Sequence, residues 1–264
     1  MTAQLEIIKR LPELATHPTP LLFVHGAWHA AWCWDEHFLT YFAEHGYCSY
    51  ALSLRGHGMS EGHRHLSWMR LKDYVHDVEQ VADQFQTLPV VVGHSLGGLI
   101  VQKFAELHDI PAMVLLASIP PQGIFLPTLH LAQQHPLSFF KGSLLFPSYP
   151  FLGVPPLMPE AYFSPSLPTR QRRKYIALLQ NESFRVFLDA LALDLPSPHR
   201  INVPALVLGA SQDSFMSLKE VEATAQAYNT QSETIENISH NMMLDVVWQH
   251  AAERIIGWLE QLGI

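Results

Sequence analysis

The chain has few cysteines, no excess of basic charge and no long apolar run, and each deficit excludes a class of protein. Cys33 and Cys48 are its two cysteines, too few for a disulfide framework or a thiolate zinc site. A formal net charge of −8 argues against nucleic acid as a partner, because no basic surface is present to neutralise phosphates. No segment is apolar for the roughly 20 residues that a membrane-spanning helix needs. These deficits predict a globular protein without stable membrane insertion.

The first residues lack the order of a secretory signal peptide, because Glu6, Lys9 and Arg10 interrupt their apolar run. With the scarcity of cysteine, this predicts a cytoplasmic protein. Among the 16 histidines, His25 and His29 have a ligand-like spacing, but they lie in a loop without a neighbouring carboxylate. We therefore expect no metal and no cofactor.

Short apolar runs alternate with amphipathic segments along most of the chain. Strands are predicted at 5–9, 21–25, 47–54, 90–93, 112–117, 205–209 and 234–238. Helices are predicted at 34–45, 68–86, 96–107, 218–228 and 243–262. This alternation predicts an α/β fold, in which helices cover both faces of a mainly parallel sheet.

Residues 119–200 interrupt the alternation, since they are rich in proline, phenylalanine and leucine. Proline lacks the N–H that a strand ladder needs, so regular strands are not expected there. Apolar side chains in 169–194 have a spacing that predicts one or two short helices. We interpret 119–200 as a cap, or lid, inserted into a core domain made of 1–118 and 201–264.

The clearest chemical signal is Gly93-His94-Ser95-Leu96-Gly97, which joins a strand-like run to a helix-like segment. A serine at such a turn, with a glycine two residues to either side, is typical of the nucleophile of a serine hydrolase. A side chain at Gly93 or Gly97 would collide with neighbouring backbone. The helix that follows points free N–H groups and a positive dipole end at any oxyanion formed there.

A serine nucleophile needs a base with a pKa near 7, and that base needs an orienting carboxylate. In this kind of fold the chain order is serine, acid, histidine. Asp213 follows the strand predicted at 205–209, and His240 follows the one at 234–238. All three residues are expected at one edge of the sheet. The sequence predicts Ser95, Asp213 and His240 as the catalytic residues.

Other residues compete for these roles. His94 adjoins Ser95, but it should point away from the serine side chain and serve the structure. The alternative acids are expected on the solvated surface: Asp109, Asp189 and Asp194.

Acyl transfer also needs two donors for an oxyanion. We expect these to be the backbone N–H groups of Leu96 and Ala27, of which the second follows His25-Gly26. An apolar substrate pocket is predicted, with walls from Trp28, Phe125, Phe139, Phe140, Phe163, Met216 and Met242.

Together, His25-Gly26, Arg55-Gly56-His57-Gly58, Gly93–Gly98, Asp213 and His240 resemble the α/β-hydrolase superfamily along nearly the whole chain. The resemblance is to its serine esterases and lipases, and it implies an eight-stranded sheet with a helical cap. The loop at 25–34 is similar to that of plant methylesterases and hydroxynitrile lyases.

Several residues differ from those of the relatives, and these differences argue against some of the reactions that the relatives catalyse. The lyases carry threonine where Gly26 stands and lysine where Asn241 stands, so a cyanide leaving group has no evident partner here. Dehalogenases and epoxide hydrolases would need aspartate at Ser95. Many relatives also have aspartate where Ser53 stands, two residues before Arg55.

The sequence thus favours hydrolysis of a small-molecule ester with an apolar acyl or alcohol group. Cleavage of a thioester, an amide or a carbon–carbon bond with the same serine stays open, as does oxygen chemistry without a cofactor. A ligand receptor built on a hydrolase scaffold is a further alternative. The oligomeric state is left open.

Overall fold

A computed structural model of the protein describes residues 3–125, 151–152 and 162–264, and its centre is a seven-stranded sheet. Its strands are β1 (Ile7–Arg10), β2 (Leu21–Val24), β3 (Ser49–Leu52), β4 (Val90–His94), β5 (Met113–Leu116), β8 (Ala205–Ala210) and β9 (Ser232–Ile235). Their spatial order is β1-β3-β2-β4-β5-β8-β9, and only β1 runs antiparallel to its neighbour. The predicted α/β class is confirmed.

The described residues supply one strand fewer to this sheet than the eight that the resemblance implied. The connection from β1 to β2 contains Pro12, Pro18 and Pro20, whose nitrogens cannot donate to a ladder. Strand β1 pairs directly with β3, with Ile7 opposite Leu52. The last strand begins and ends earlier than predicted, and a left-handed Asn237 (φ 58°) follows its end.

Eight α-helices lie within the described ranges. They are α1 (Trp32–Asp35), α2 (Phe38–Glu44), α3 (Leu71–Ala82), α4 (Leu96–Ala105), α5 (Thr169–Leu178), α6 (Phe184–Leu188), α7 (Leu218–Ala227) and α8 (Trp248–Leu262). Shorter helical turns occur at His63–Trp68, Asp189–Leu193, Pro198–Arg200 and Met242–Leu244. None of the helices in these ranges is both long and apolar enough to cross a membrane.

Two apolar clusters cover the two faces of the sheet. Successive side chains of a strand point to opposite faces, so Leu21 and Phe23 of β2 join one cluster while Leu22 and Val24 join the other. Helices α1, α2 and α8 pack on the first face, and α3 and α4 pack on the second. Full burial of each such side chain stabilises the fold by roughly 1.5–3 kcal/mol. The clusters fix the sheet, whose strand ends carry the candidate site.

The chain between β5 and β8 contains α5, α6 and a small separate ladder. In that ladder β6 (Phe151–Leu152) pairs antiparallel with β7 (Glu182–Ser183). The helical prediction for 169–194 is confirmed by α5 and α6. The division into a core and a cap at 119–200 stays a prediction.

The expectation that Asp189 lies on the solvated surface is wrong. Its side chain is buried and accepts hydrogen bonds from Arg70 Nε (2.8 Å) and from the N–H of Leu71 (3.0 Å) at the start of α3. Because these partners lie far away in sequence, no local pattern indicated that the carboxylate would be paired.

Candidate active site

Ser95 sits in a sharp turn between β4 and α4, with φ 52° and ψ −116°. The turn is held because the N–H of Ser95 donates to the carbonyl of Leu116 at 3.0 Å. A Cβ at Gly93 would lie 2.5 Å from the carbonyl oxygen of Gly97, and one at Gly97 would overlap the carbonyl oxygen of Val24. Both glycines are therefore required for the close approach of α4 to the sheet.

Ser95, His240 and Asp213 form a continuous chain of hydrogen bonds. The distance from Ser95 Oγ to His240 Nε2 is 3.0 Å, and His240 Nδ1 lies 2.8 Å from Asp213 Oδ2. A carboxylate only accepts, so Nδ1 carries the proton and the lone pair of Nε2 faces the serine hydroxyl. Asp213 Oδ1 also accepts from the N–H groups of Phe215 (2.7 Å) and Met216 (3.0 Å). The geometry allows the serine proton to pass to the imidazole.

The neighbours of His240 fix its position rather than compete for its role. The Nε2–H of His94 donates to the carbonyl oxygen of His240 at 2.9 Å, so His94 holds the backbone of that residue. Burial, and then the proximity of His240, lower the pKa of His94 well below its ordinary value. The rings of Phe215 and Tyr162 lie 4.8 and 5.6 Å from the imidazole of His240.

Two backbone N–H groups stand at the places predicted for oxyanion donors. Leu96 is the first residue of α4, and Ala27 lies in the loop after β2. Among the described residues, neither N–H has a hydrogen-bond acceptor. A Cβ at Gly26 would lie 3.0 Å from Cβ of Ser95, so this loop passes directly beside the serine. Both groups remain candidates for holding an oxyanion.

Two histidines hold the loop that contains Ala27. The Nδ1–H of His25 donates to the carbonyl of Gly26 (2.8 Å), and that of His29 donates to the carbonyl of Ala27 (2.7 Å). Burial lowers the pKa of His25 well below its ordinary value and that of His29 to about 4. Both rings are thus neutral near pH 7. Between them in the loop, Trp28 has φ 65°, a conformation that costs a bulky residue on the order of 1–3 kcal/mol.

The predicted pocket residues differ in their surroundings. The ring of Trp28 lies 6.1 Å from that of Tyr162. Phe163 and Met242 are buried in the cluster on one face of the sheet, Met216 is buried in the other, and Phe125 is exposed. Phe139 and Phe140 lie outside the described residues. The role of these side chains as pocket walls stays a prediction.

A buried polar cluster near this loop has no counterpart among the sequence predictions. Tyr74 Oη donates to Glu182 Oε1 at 2.7 Å, and Nε2 of His57 lies 3.4 Å from Glu182 Oε2. Burial lowers the pKa of His57, but the Glu182 carboxylate outweighs it and raises that pKa overall. Burial raises the pKa of Glu182, but His57 and the hydrogen bonds lower it overall. Glu182 lies in a polar stretch without periodicity, so no sequence signal indicated this pair.

Comparison with known proteins agrees with this fold. A model of the alpha/beta hydrolase family matches residues 21–255. A pyrethroid hydrolase from Sphingobium wenxiniae is 26% identical over 117 residues, which cover 41% of this chain and 41% of that protein. The match thus spans less than half the length of that relative.

Two solved structures extend the comparison to nearly the whole chain. The monoacylglycerol lipase of Paleococcus ferrophilus matches with a TM-score of 0.74 and 19% identity, covering 99% of this chain and 100% of that one. An esterase from Exiguobacterium antarcticum matches with a TM-score of 0.71 and 17% identity, covering 98% and 96%. These similarities concern the fold. With the family match over most of its length, the chain belongs to the alpha/beta hydrolase family.

Proposed function

We propose that the protein is a serine hydrolase that cleaves carboxylic esters through an acyl-enzyme intermediate. The observation that carries the proposal is the unbroken chain from Ser95 Oγ to His240 (3.0 Å) and from His240 to Asp213 (2.8 Å). A serine hydroxyl becomes a useful nucleophile only when a positioned base takes its proton. This arrangement supplies the base and the carboxylate that orients it.

In the proposed mechanism, Ser95 Oγ attacks the ester carbonyl while its proton moves to His240 Nε2. Asp213 stabilises the imidazolium, and the N–H groups of Ala27 and Leu96 hold the oxyanion. Collapse of the intermediate expels the alcohol, which takes the proton from His240. His240 then deprotonates a water molecule, which attacks the acyl-enzyme. Collapse of this second intermediate releases the acid, and His240 returns the proton to Ser95 Oγ.

We infer an ester with an apolar acyl or alcohol group as substrate. Aromatic rings from Phe215 and Tyr162 surround His240, and that of Trp28 lies next to Tyr162. The name of the partial relative, a pyrethroid hydrolase, fits this substrate class. In this proposal, residues 119–200 form a cap over the site.

The proposal is tested by labelling with a fluorophosphonate, which reacts with an activated serine. We expect labelling of the wild type and its loss in Ser95→Ala. Ser118→Ala is the matched control, because Ser118 lies at the same sheet edge and its hydroxyl donates to the carbonyl of Ile119. A series of p-nitrophenyl esters with acyl chains of increasing length should then give faster turnover for chains longer than acetate.

Three results would contradict the proposal. Labelling that persists in Ser95→Ala would exclude Ser95 as the nucleophile. Labelling without turnover of any ester would point to a thioester, an amide or a carbon–carbon bond, which matched substrates of those classes would reveal. Saturable binding of one compound without any turnover would indicate a receptor.

A further inference from the structure

We propose that Gln180, in the predicted cap, is a positioning residue that holds the loop carrying the Ala27 N–H in its oxyanion-binding conformation. The inference rests on the proposed function, since it assigns a role in the same site. It names a contact through which residues 119–200 act on catalysis itself, beyond covering the substrate.

The first observation concerns three consecutive carbonyl groups of the loop, each of which accepts a hydrogen bond. Gly26 accepts from the side chain of His25 (2.8 Å) and Ala27 from the side chain of His29 (2.7 Å). The third carbonyl, that of Trp28, accepts from the backbone N–H of Gln180 at 2.8 Å. Two of these donors belong to the loop, and the third comes from a residue about 150 positions further along the chain.

The second observation is the backbone conformation at the point where Gln180 binds. Trp28 has a left-handed φ of 65°, which a bulky residue adopts only when its surroundings hold it there. The carbonyl that Gln180 binds belongs to this same residue. Loss of that contact removes one restraint on this strained φ. A change of φ at Trp28 shifts the two peptide units that precede it, and the first of these carries the Ala27 N–H.

The third observation is that the side chain of Gln180 is itself anchored to the core. Its Oε1 accepts from the N–H of Gly58 at 2.9 Å. Gly58 has φ 55°, and a Cβ there would overlap Glu6 Oε2, so this part of the core has little freedom to move. The amide oxygen therefore fixes where the backbone N–H of Gln180 meets the Trp28 carbonyl.

Neighbouring residues fasten the same segment without touching the loop. Glu182 accepts from Tyr74 Oη at 2.7 Å, and the hydroxyl of Ser183 donates to the carbonyl of Met69 at 2.8 Å. These contacts secure the segment as a whole, whereas Gln180 supplies its hydrogen bond to the loop. Ser183 is thus a matched control, because its variant loosens the segment at a point away from the loop.

The test compares ester hydrolysis by Gln180→Met, Gln180→Glu and Ser183→Ala in the full chain. Gln180→Met has a side chain of similar length but no acceptor for the N–H of Gly58. Gln180→Glu keeps an oxygen that can accept from this N–H. Loss of a whole oxyanion donor lowers kcat by about 10²–10³-fold, so a displaced donor should lower it by about 10–100-fold. We expect that fall in kcat for Gln180→Met with KM nearly unchanged, and near-normal values for Gln180→Glu and Ser183→Ala.

A second readout separates positioning of the donor from a general loosening of the fold. An alkyl trifluoromethyl ketone forms an adduct with the serine whose oxyanion occupies the donor site. Its affinity for Gln180→Met should fall by the same factor as kcat/KM, while the melting temperature should fall no further than in Ser183→Ala. Gln180→Ala, measured in parallel, removes the same acceptor in a smaller side chain.

The results also separate this inference from the proposed function. If the wild type turns over esters but Gln180→Met and Gln180→Ala retain its kcat, or change KM alone, the positioning role is wrong. An equal fall in all the variants would likewise mean that the segment matters only for folding. If the wild type hydrolyses no ester and forms no ketone adduct, the proposed function fails and the inference with it.

Discussion

The sheet and the described residues between β5 and β8 share the same apolar clusters, but the second region adds buried polar contacts to residues far away in the sequence. The sheet is held by parallel ladders and by apolar side chains that alternate between its two faces. The described residues between β5 and β8 also contribute apolar side chains to these clusters, such as Phe163 and Val186, and buried polar side chains fasten them further, Asp189 to Arg70 and Glu182 to Tyr74. Alternation is visible in a sequence, whereas a polar contact between distant residues leaves no pattern. We therefore expect substitutions at the strand ends of the sheet to affect catalysis most. Substitutions in the second region should mainly weaken its attachment to the rest of the protein.

The largest expected effect belongs to the sheet edge. His240→Ala should lower kcat by about 10⁴–10⁶-fold, because it removes the proposed base. Asp213→Asn should lower kcat by about 10⁴-fold, because the imidazole then adopts the wrong tautomer. His250→Ala is the control, since His250 is an exposed residue of α8. Steady-state hydrolysis of a p-nitrophenyl ester measures all three. Comparable activity in His240→Ala and His250→Ala would contradict the assignment of the base.

The next effect also concerns the sheet edge, but it is structural. Gly97→Ala places a Cβ onto the backbone carbonyl oxygen of Val24, which belongs to a fully buried strand and has no room to move. We expect the free energy of unfolding to fall by about 3 kcal/mol or more, with activity lost in parallel. Urea denaturation measures the free energy of unfolding. A variant as stable as the wild type would show that α4 does not need this close approach.

A smaller and pH-dependent effect is expected where the two regions meet. Glu182→Gln breaks a buried pair with His57 and should lower the free energy of unfolding by about 3 kcal/mol at pH 6. Burial lowers the pKa of His57, but Glu182 raises it overall above 6.5, so the stabilisation is full below pH 6.5 and lost as pH rises through the raised pKa.

The Glu182 carboxylate sets the lower limit of the pH range in which this pair stabilises the fold. Burial raises the pKa of Glu182, but His57 lowers it overall below 4.5, so its contribution is present above pH 4.5 and lost as pH falls through the lowered pKa. Urea unfolding should therefore show a larger loss for Glu182→Gln at pH 6 than at pH 9. Asp194→Asn, which removes a partly exposed partner of Lys103, is the control, with an expected loss below about 1 kcal/mol. Equal losses for Glu182→Gln at both pH values would argue against a charged His57.

The smallest effect is a gain in stability on helix α8, which packs on the sheet but does not belong to it. Gly257 lies within α8, and a Cβ there would meet no atom within 4 Å. Gly257→Ala should raise the free energy of unfolding by roughly 0.5–1 kcal/mol, because glycine loses more backbone freedom in a helix than alanine does. It also serves as the matched control for Gly97→Ala. A loss of stability would mean that α8 needs a conformation which alanine disfavours.

The sequence predicts the position of a residue in the fold well where the neighbouring residues along the chain determine that position. Ser95, Asp213 and His240 each follow an apolar strand-like run, and the structure brings them into one chain of hydrogen bonds. The expectation for Asp189 is wrong, because a charged residue is expected in solvent, whereas its partner Arg70 lies 119 residues away in the sequence. The hydrogen bonds of Gln180 to Trp28 and Gly58 are equally unpredictable, since no local pattern distinguishes Gln180 from an ordinary surface glutamine.

In the proposed mechanism, Ser95 Oγ becomes acylated during turnover. The most direct measurement is mass spectrometry of the protein after rapid acid quenching of its reaction with a p-nitrophenyl ester. We expect the mass to increase by one acyl group, located on the peptide that contains Ser95, and we expect Ser95→Ala to gain none. Ester turnover without such an adduct, or with an acyl group on another residue, would contradict it.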